Sequence, residues 1–366
     1  MSDVIARKIE IQNIIRQGNA PLAEIYAREY LAAHPEDVDY KQQIEREFEM
    51  AYGFPENFRA CELPHASVDP GKYLIIKAWG YGFWSEVHHL LSQLLVAELT
   101  HRTPIPLWGT NCIFRLENTR NSISEFFQGF ENPDLEKLCT TDGIYPSKWH
   151  SQNIYTENWQ KFSGEYSKQS AQYFLSRTEP ILVSDFYTSL TSIKPWISEK
   201  SCYFGLSEDD IYKLLFEKFI QPTDAMQAKA DDFYQRHMAQ RNWIAVHMRG
   251  SDKIHESPGL QKTNAHYFGF IDRMLELNPG IGIFLMTDAV QILEYFQIKY
   301  GERVLFTPSE RTSSQIGVHL STNDGHRAGQ EVLIDALIAL KCDYFIGNKE
   351  SNVSLAIANM KRWPNG

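Results

Sequence analysis

Cysteine is scarce and never closely spaced: Cys61, Cys112, Cys139, Cys202 and Cys342 are the only five in 366 residues, and no two form a C-x-x-C pair. An odd, scattered set argues against a disulfide framework and suits a reducing compartment. Blocks of Lys or Arg are missing as well, and the formal net charge is −10. Nucleic acid is therefore not an expected partner, because a phosphate backbone demands a basic face. No long apolar run occurs either. The longest, Val87 to Leu99, carries His88, His89, Gln93 and Glu98, and the opening MSDVIARKIEIQNIIRQGN is charged throughout. Neither a transmembrane segment nor a signal peptide is expected, and the reading is a cytoplasmic protein.

Absent motifs narrow the chemistry further. There is no phosphate-loop lysine motif, no G-x-G-x-x-G followed by an acid and no G-x-S-x-G elbow, which weakens kinase, NTPase, dehydrogenase and acyl-transfer readings. His88 and His89 are adjacent on a helix and point to different faces, while Asp37-Val38-Asp39 sits in a helical stretch. No catalytic metal and no cofactor are expected from such spacing.

What the chain does have is apolar material, 43% of its residues, enough for two domains and a small extension. Residues 3 to about 50 read as helix. APLAEIYAREYLAA (20–33) places Leu22, Ile25, Tyr26 and Tyr30 on one side, like one tetratricopeptide-type hairpin. A single such unit is expected to dock on the main body or a second subunit, or to recruit a partner. YLIIKAW (73–79) reads as a buried strand. The loop Gly80-Tyr81-Gly82-Phe83-Trp84 follows, then a helix with Ser85 as N-cap and Glu86 in its first turn. Further strands are expected at 105–108 and 180–185, the latter ending in Asp185. Residues 110 to 175 show weak periodicity and are left unassigned, as possible substrate-contacting loops.

The second half alternates cleanly: strand 242–248, helix 264–277, strand 281–287, helix 289–299, strand 303–306, loop 307–327, helix 328–340, strand 342–346 and helix 351–361. This is the pattern of a doubly wound α/β domain with a parallel sheet. The expected division is a helical extension over 1–65, a first α/β domain over 66–225 and a second over 226–366. Two α/β units in one chain imply a cleft between them. The polar loop 307–327, with His319, Asp324, His326 and Arg327, reads as a lid or binding element, or as a surface excursion.

Three predicted strand ends in the second domain converge on one rim. NWIAVHMRGSDK (242–253) delivers His247 and Arg249, with Asp252 and Lys253 beyond Gly250; the next strand delivers Thr287 and Asp288; the last delivers Gly347, Asn348, Ser351, Asn352 and Ser354. Ligands of open parallel sheets collect at such ends, and an Arg beside a helix N-terminus suits a diphosphate. Each residue has a plainer role too. Arg249 can pair with a carboxylate, Ser351 can be an N-cap, and Asp288 can cap the next helix.

These residues carry a resemblance. VHMRGSDK (246–253) resembles the H-x-R-R-T-D-K segment of α1,6-fucosyltransferases of nodulation and core type, and more loosely the H-L-R motif of protein O-fucosyltransferases. In the same order, GFWSEVHHLLSQLLVAELTHRTPI (82–105) resembles their glycine loop and paired-histidine helix. FLMTDAVQILEYFQIKYGERVLF (284–306) resembles their T-D strand end. GVHLSTNDGHRAGQEVLIDALIALKCDYFIGNKESNVSLAIANM (317–360) resembles the stretch ending in their phosphate-binding turn. Matches run from about residue 73 to 361, sparse between 110 and 230.

The resemblance implies a GT-B-like α/β fold, two Rossmann-type domains facing a cleft. It also implies an inverting, metal-independent transferase using a GDP-sugar, GDP-fucose or a relative, on a glycan or lipid-linked acceptor. By position, Arg249 would contact the β-phosphate, His247 and Asp288 the nucleoside, and Ser351, Asn352 and Ser354 the diphosphate, with Gly82 in the glycine loop. Glu86 and Asp185 are candidates for the base, and Glu86 serves equally as a first-turn acid. Gly250 stands where the resembled pattern has a second Arg. A protein acceptor and an inactive nucleotide-sugar or glycan binder remain open alternatives. Trp79, Tyr81, Phe83 and Trp84 are candidates to stack on sugar rings.

Overall fold

The computed structural model describes residues 2–16, 20–44, 69–140, 143–146, 149–155, 174–175, 177–185, 187–197, 199, 201–250, 260–314, 317–318 and 322–364. Its main elements in chain order begin with α1 (Ser2–Arg16), α2 (Ala20–Ala33), β1 (Tyr73–Lys77), α3 (Phe83–Leu99), β2 (Thr103–Leu107), β3 (Phe127–Gln128), β4 (Ile144–Tyr145) and β5 (Ile181–Ser184). They continue with α4 (Glu208–Phe219), β6 (Gln221–Pro222), α5 (Asp224–His237), β7 (Trp243–His247), α6 (Leu260–Leu277), β8 (Gly282–Met286), α7 (Val290–Tyr300), β9 (Val304–Leu305), α8 (Gly325–Ala339), β10 (Tyr344–Ile346) and α9 (Asn352–Met360). The chain divides into two compact units. The first is Met1–Tyr81, Glu86–Ile123 and Gly129–Ile211; the second is Gly82–Ser85, Ser124–Gln128 and Tyr212–Gly366.

In the first unit, α1, α2 and the helical residues 38–44 build a small core of their own from Ile11, Ile14, Ile15, Ala23, Ala27, Tyr30, Tyr40 and Ile44. Among the described residues, Val4, Leu22, Tyr26 and Leu31 pack partly buried against it. Strands β2, β1, β5 and β4 form a parallel sheet in that order. Ile75, Ile105, Leu107, Ile181 and Val183 pack on one face against Leu135, Trp149 and Ile154. Strand β4 lies in the stretch left unassigned from sequence, and two residues are too few to show a period.

The second unit holds the parallel sheet β10-β7-β8-β9. All five residues of β7 and of β8 are buried, which is why both read as unbroken apolar runs. Ile244, Val246, Ile283 and Leu285 face α6 and α7 through Tyr267, Ile271 and Phe296. On the opposite face Phe284 meets Phe233 of α5, 6.1 Å between ring centroids. Each such fully buried side chain is worth about 1.5–3 kcal/mol. The order matters for the site. The chain leaves β7 for β8 on one side and returns to β10 on the other, so the crevice between the ends of β7 and β10 is a topological switch point, where open α/β sheets bind ligands.

The polar stretch after β9 is tied down at its start. Thr307 and Ser309 donate to Asp335 of α8 at 2.5 and 3.3 Å, and Thr312 N donates to Asp288 O at 2.9 Å. Asp324 caps α8 by accepting from Arg327 N at 2.9 Å. His319 lies outside the described residues, as do Asp252 and Lys253.

Candidate functional site

At the switch point, His247 ends β7, and its Nδ1 lies 2.7 Å from Ser354 Oγ in the first turn of α9. Ser354 Oγ also accepts from Asn348 N at 3.1 Å. A hydroxyl has one hydrogen and two lone pairs, so Ser354 serves both partners at once. Burial, then the nearby Arg249 charge, lowers this histidine to about 4, so it is neutral at physiological pH. Gly347 makes the turn possible. A Cβ there would meet the Phe345 ring at 2.5 Å and Ser354 Oγ at 2.7 Å. Asn348 Oδ1 accepts from Glu350 N at 2.9 Å, and Asn348 O from Ser351 N at 3.0 Å. Ser351 occupies the N-cap position of α9 yet its hydroxyl makes no capping bond. The N-cap position expected from sequence is therefore met and the capping bond is not, with the side chain 6% exposed. The first-turn N–H groups of α9 thus carry their positive dipole end without a side-chain cap.

Arg249 does have the carboxylate partner that the sequence left open. Its Nη1 lies 2.9 Å from Asp288 Oδ2, and Gly250 N donates to Asp288 Oδ1 at 2.8 Å. A guanidinium carries five donors in a fixed fork, more than one carboxylate oxygen can take. Asn264 Nδ2 holds Arg249 O at 3.0 Å. A Cβ at Gly250 would sit 2.6 Å from Ala289 Cβ and 3.1 Å from Ile292 Cδ1. The glycine that departs from the resembled pattern is therefore demanded by packing against the start of α7, which leaves no room for a second Arg. Asp288 does not cap α7, whose N-cap position is Ala289.

In the first unit, Glu86 is buried and clasps the loop after β1. Its Oε2 accepts from Trp79 N at 2.7 Å, and its Oε1 from Tyr81 N at 2.9 Å and from Gly80 N. Burial pushes the carboxyl up to about 7 against these three donors. The helix starts at Phe83, so Ser85 lies inside it and is not the N-cap expected from sequence. A Cβ at Gly82 would meet nothing within 4 Å, whereas Gly80 has φ +96° and needs to be glycine. Asp185 directly follows β5, the sheet neighbour of β1, and is 2% exposed. His89 braces the same region: its Nε2 lies 3.2 Å from Lys77 O, its Nδ1 accepts from Thr188 N at 3.3 Å, and burial lowers it to about 4.

Of the four aromatics expected to stack on sugars, Phe83 and Trp84 are buried, 3% and 2% exposed. Trp79 and Tyr81 stack on each other at 5.1 Å, with Tyr187 5.6 Å from Trp79. Sequence reading did not single out Tyr187, nor Asn264 and Tyr267, which lie inside the expected helix 264–277 and carry no motif. Among the described residues no three His, Cys, Asp or Glu side chains gather as a metal-holding group, and no helix is long and apolar enough to cross a membrane.

Solved structures share this architecture. POFUT1 in complex with GDP superposes with a TM-score of 0.50 at 13% identity, over 81% of this chain and 98% of its own. A variant of FUT1 from Arabidopsis thaliana in complex with GDP gives a TM-score of 0.50 at 13% identity, over 98% of this chain and 78% of its own. NodZ α1,6-fucosyltransferase soaked with GDP-fucose gives 0.49 at 17% identity, over 79% and 92%. The chain shares the fold of these proteins, with Rossmann-like α/β units. No protein-family model matches the sequence, and no curated protein matches it.

Proposed function

We propose that the protein is a glycosyltransferase that takes fucose or a related sugar from a GDP-sugar and passes it, with inversion and without a metal, to a hydroxyl of a glycan or lipid-linked acceptor. The observation that carries this reading is the link between His247 and Ser354, which ties the strand end bearing Arg249 to the uncapped first turn of α9. A cation and a helix N-terminus on one crevice suit a diphosphate. The fold, shared with enzymes solved with GDP, supports the same donor.

In the proposed step the acceptor oxygen attacks the anomeric carbon, the bond from that carbon to the β-phosphate oxygen breaks, and GDP departs. Arg249 and the α9 N–H groups stabilise the charge gathering on the diphosphate. A carboxylate takes the acceptor proton, and Glu86 and Asp185 are the candidates. A carboxyl held at about 7 has the proton affinity that general-base catalysis at neutral pH favours.

A thermal-shift panel of GDP, UDP, ADP and dTDP sugars tests the donor. Ligand at about a hundred times its dissociation constant adds about 2.7 kcal/mol of stability. The GDP-sugar is expected to give the largest shift, Arg249→Ala to fold yet lose transfer, and Arg249→Lys to retain charge but not the fork. Full transfer by Arg249→Ala rejects the assigned role.

A further inference from the structure

His89 reaches two strand ends of the first unit at once. Its ring is 1% exposed. Nε2 lies 3.2 Å from the carbonyl oxygen of Lys77, the last residue of β1, and Nδ1 lies 3.3 Å from Thr188 N, three residues past Asp185. A carbonyl only accepts and an amide N–H only donates, so Nε2 carries the hydrogen and Nδ1 the lone pair. Only the neutral ring in that one tautomer makes both bonds. Burial, which lowers the ring to about 4, keeps it neutral at physiological pH.

Where the two bonds fall matters. Glu86 stands three residues before His89, so both project from one face of α3. Glu86 clasps the amides of Trp79, Gly80 and Tyr81 in the loop after β1, while His89 holds the strand just before that loop and the loop that follows Asp185. One helical turn thus ties together the ends of two paired strands, β1 and β5. The face of the ring is engaged as well. Tyr187 stacks on His89 at 5.9 Å, Trp79 lies 5.6 Å from Tyr187, and Tyr81 lies 5.1 Å from Trp79. A row of four rings therefore runs from the buried histidine out to Tyr81, which is 45% exposed. Packing alone does not call for a histidine here, because an apolar side chain would fill the same volume with no desolvated nitrogens to pair.

Resting on the transfer reading above, we propose that His89 is a positioning residue for the reaction, fixing Asp185 and Tyr187 against the loop that Glu86 clasps so that acceptor and carboxylate meet in register. It touches no reacting atom. A misplacement of about 1 Å costs on the order of 100-fold in rate. Loosening the loop after β5 therefore slows turnover and leaves donor binding, assigned above to Arg249 and the start of α9, as it was.

Release of GDP from GDP-fucose and GDP-mannose by the full chain, with water as acceptor, tests this in wild type, His89→Gln and His89→Asn, beside calorimetric titration with GDP and thermal melting. Gln offers an N–H where Nε2 stands and keeps the Lys77 bond, whereas Asn offers an oxygen where Nδ1 stands and keeps the Thr188 bond. Both variants are expected to bind GDP and to hold the donor KM within about twofold of wild type, and His89→Gln to lose about 10- to 100-fold in kcat. His89→Asn, which still holds the loop bearing Asp185, should recover part of that loss whatever its melting temperature. Wild-type kcat in both variants overturns the positioning role and leaves the transfer reading standing. So does a loss of kcat that merely follows melting temperature and GDP affinity, the mark of a core histidine. Wild type that turns over neither GDP-sugar overturns both.

Discussion

His247 Nδ1 and Ser354 Oγ meet at 2.7 Å although 107 positions separate them in the chain. The same hydroxyl accepts from Asn348 N, so one side chain locks the end of β7 to both the turn after β10 and the start of α9. Ser354→Ala strands two buried partners at once, and an orphaned buried group costs about 1–3 kcal/mol. The expected result is a loss of about 2–4 kcal/mol in denaturant unfolding, accompanied by loss of GDP binding. A loss under about 0.5 kcal/mol would contradict the network.

Ser351 and Asp324 occupy equivalent cap positions and behave oppositely. Asp324 accepts from Arg327 N, whereas the Ser351 hydroxyl caps nothing. Asp324→Ala is expected to cost about 1 kcal/mol and Ser351→Ala less than about 0.5 kcal/mol. Only the latter should weaken GDP binding. Equal stability losses would restore Ser351 as an ordinary cap.

Gly250 has no room for a side chain. With Ala289 Cβ 2.6 Å from where its own Cβ would stand, Gly250→Ala is expected to cost about 1–3 kcal/mol through overpacking. Gly250→Arg, which restores the second arginine of the resembled motif, should do worse and gain no donor affinity. A stable, more active Gly250→Arg protein would refute the packing argument.

Glu86 sets a pH dependence of definite sign. Its carboxyl ionises near 4.5 ordinarily and at about 7 when buried here, so the folded state holds the proton more tightly. The stability it contributes is complete below about pH 4.5 and is lost as pH rises through about 7, on the order of 3 kcal/mol in all. Unfolding free energy measured across that window should fall in wild type and stay flat in Glu86→Gln, apart from other titrating groups common to both. Parallel profiles would exclude Glu86 as the source. If Glu86 is also the base, kcat/KM should rise with pH around the same midpoint, and an activity profile level from pH 5 to 8 would shift that role to Asp185.

The central strands were legible because burial on both faces leaves a mark that needs no context. Trp243 to His247 and Gly282 to Met286 are apolar runs that stop at polar corners, and the expected strands overlap the observed ones closely. Helix α2 appears at the predicted limits. The convergence of His247, Arg249, Asp288 and Ser354 was legible too, since a parallel sheet sends every strand end to one edge. What could not be read were contacts made across the fold. Glu86 looked like a first-turn acid, and only the bend of Trp79 to Tyr81 reveals three amides turned towards it. Ser351 does occupy the N-cap position, but sequence could not show that its hydroxyl makes no capping bond there. Asn264 looks like an ordinary helix residue until its amide is seen holding Arg249 O. Gly250 read as a departure from pattern, and its cause, the methyl of Ala289, lies 39 residues away.

Strand β10 adds onto β7 with Tyr344 opposite Ile244, and Trp243 N bonds Asp343 Oδ2 at 2.8 Å. A ribosome making this protein must therefore release a hundred further residues before the first of those strands acquires its outer neighbour. Until then the arginine corner exists without its helical counterpart. Nascent chains halted short of α9 should fold the earlier strands and still be blind to nucleotide, so recognition is among the last properties the polypeptide acquires.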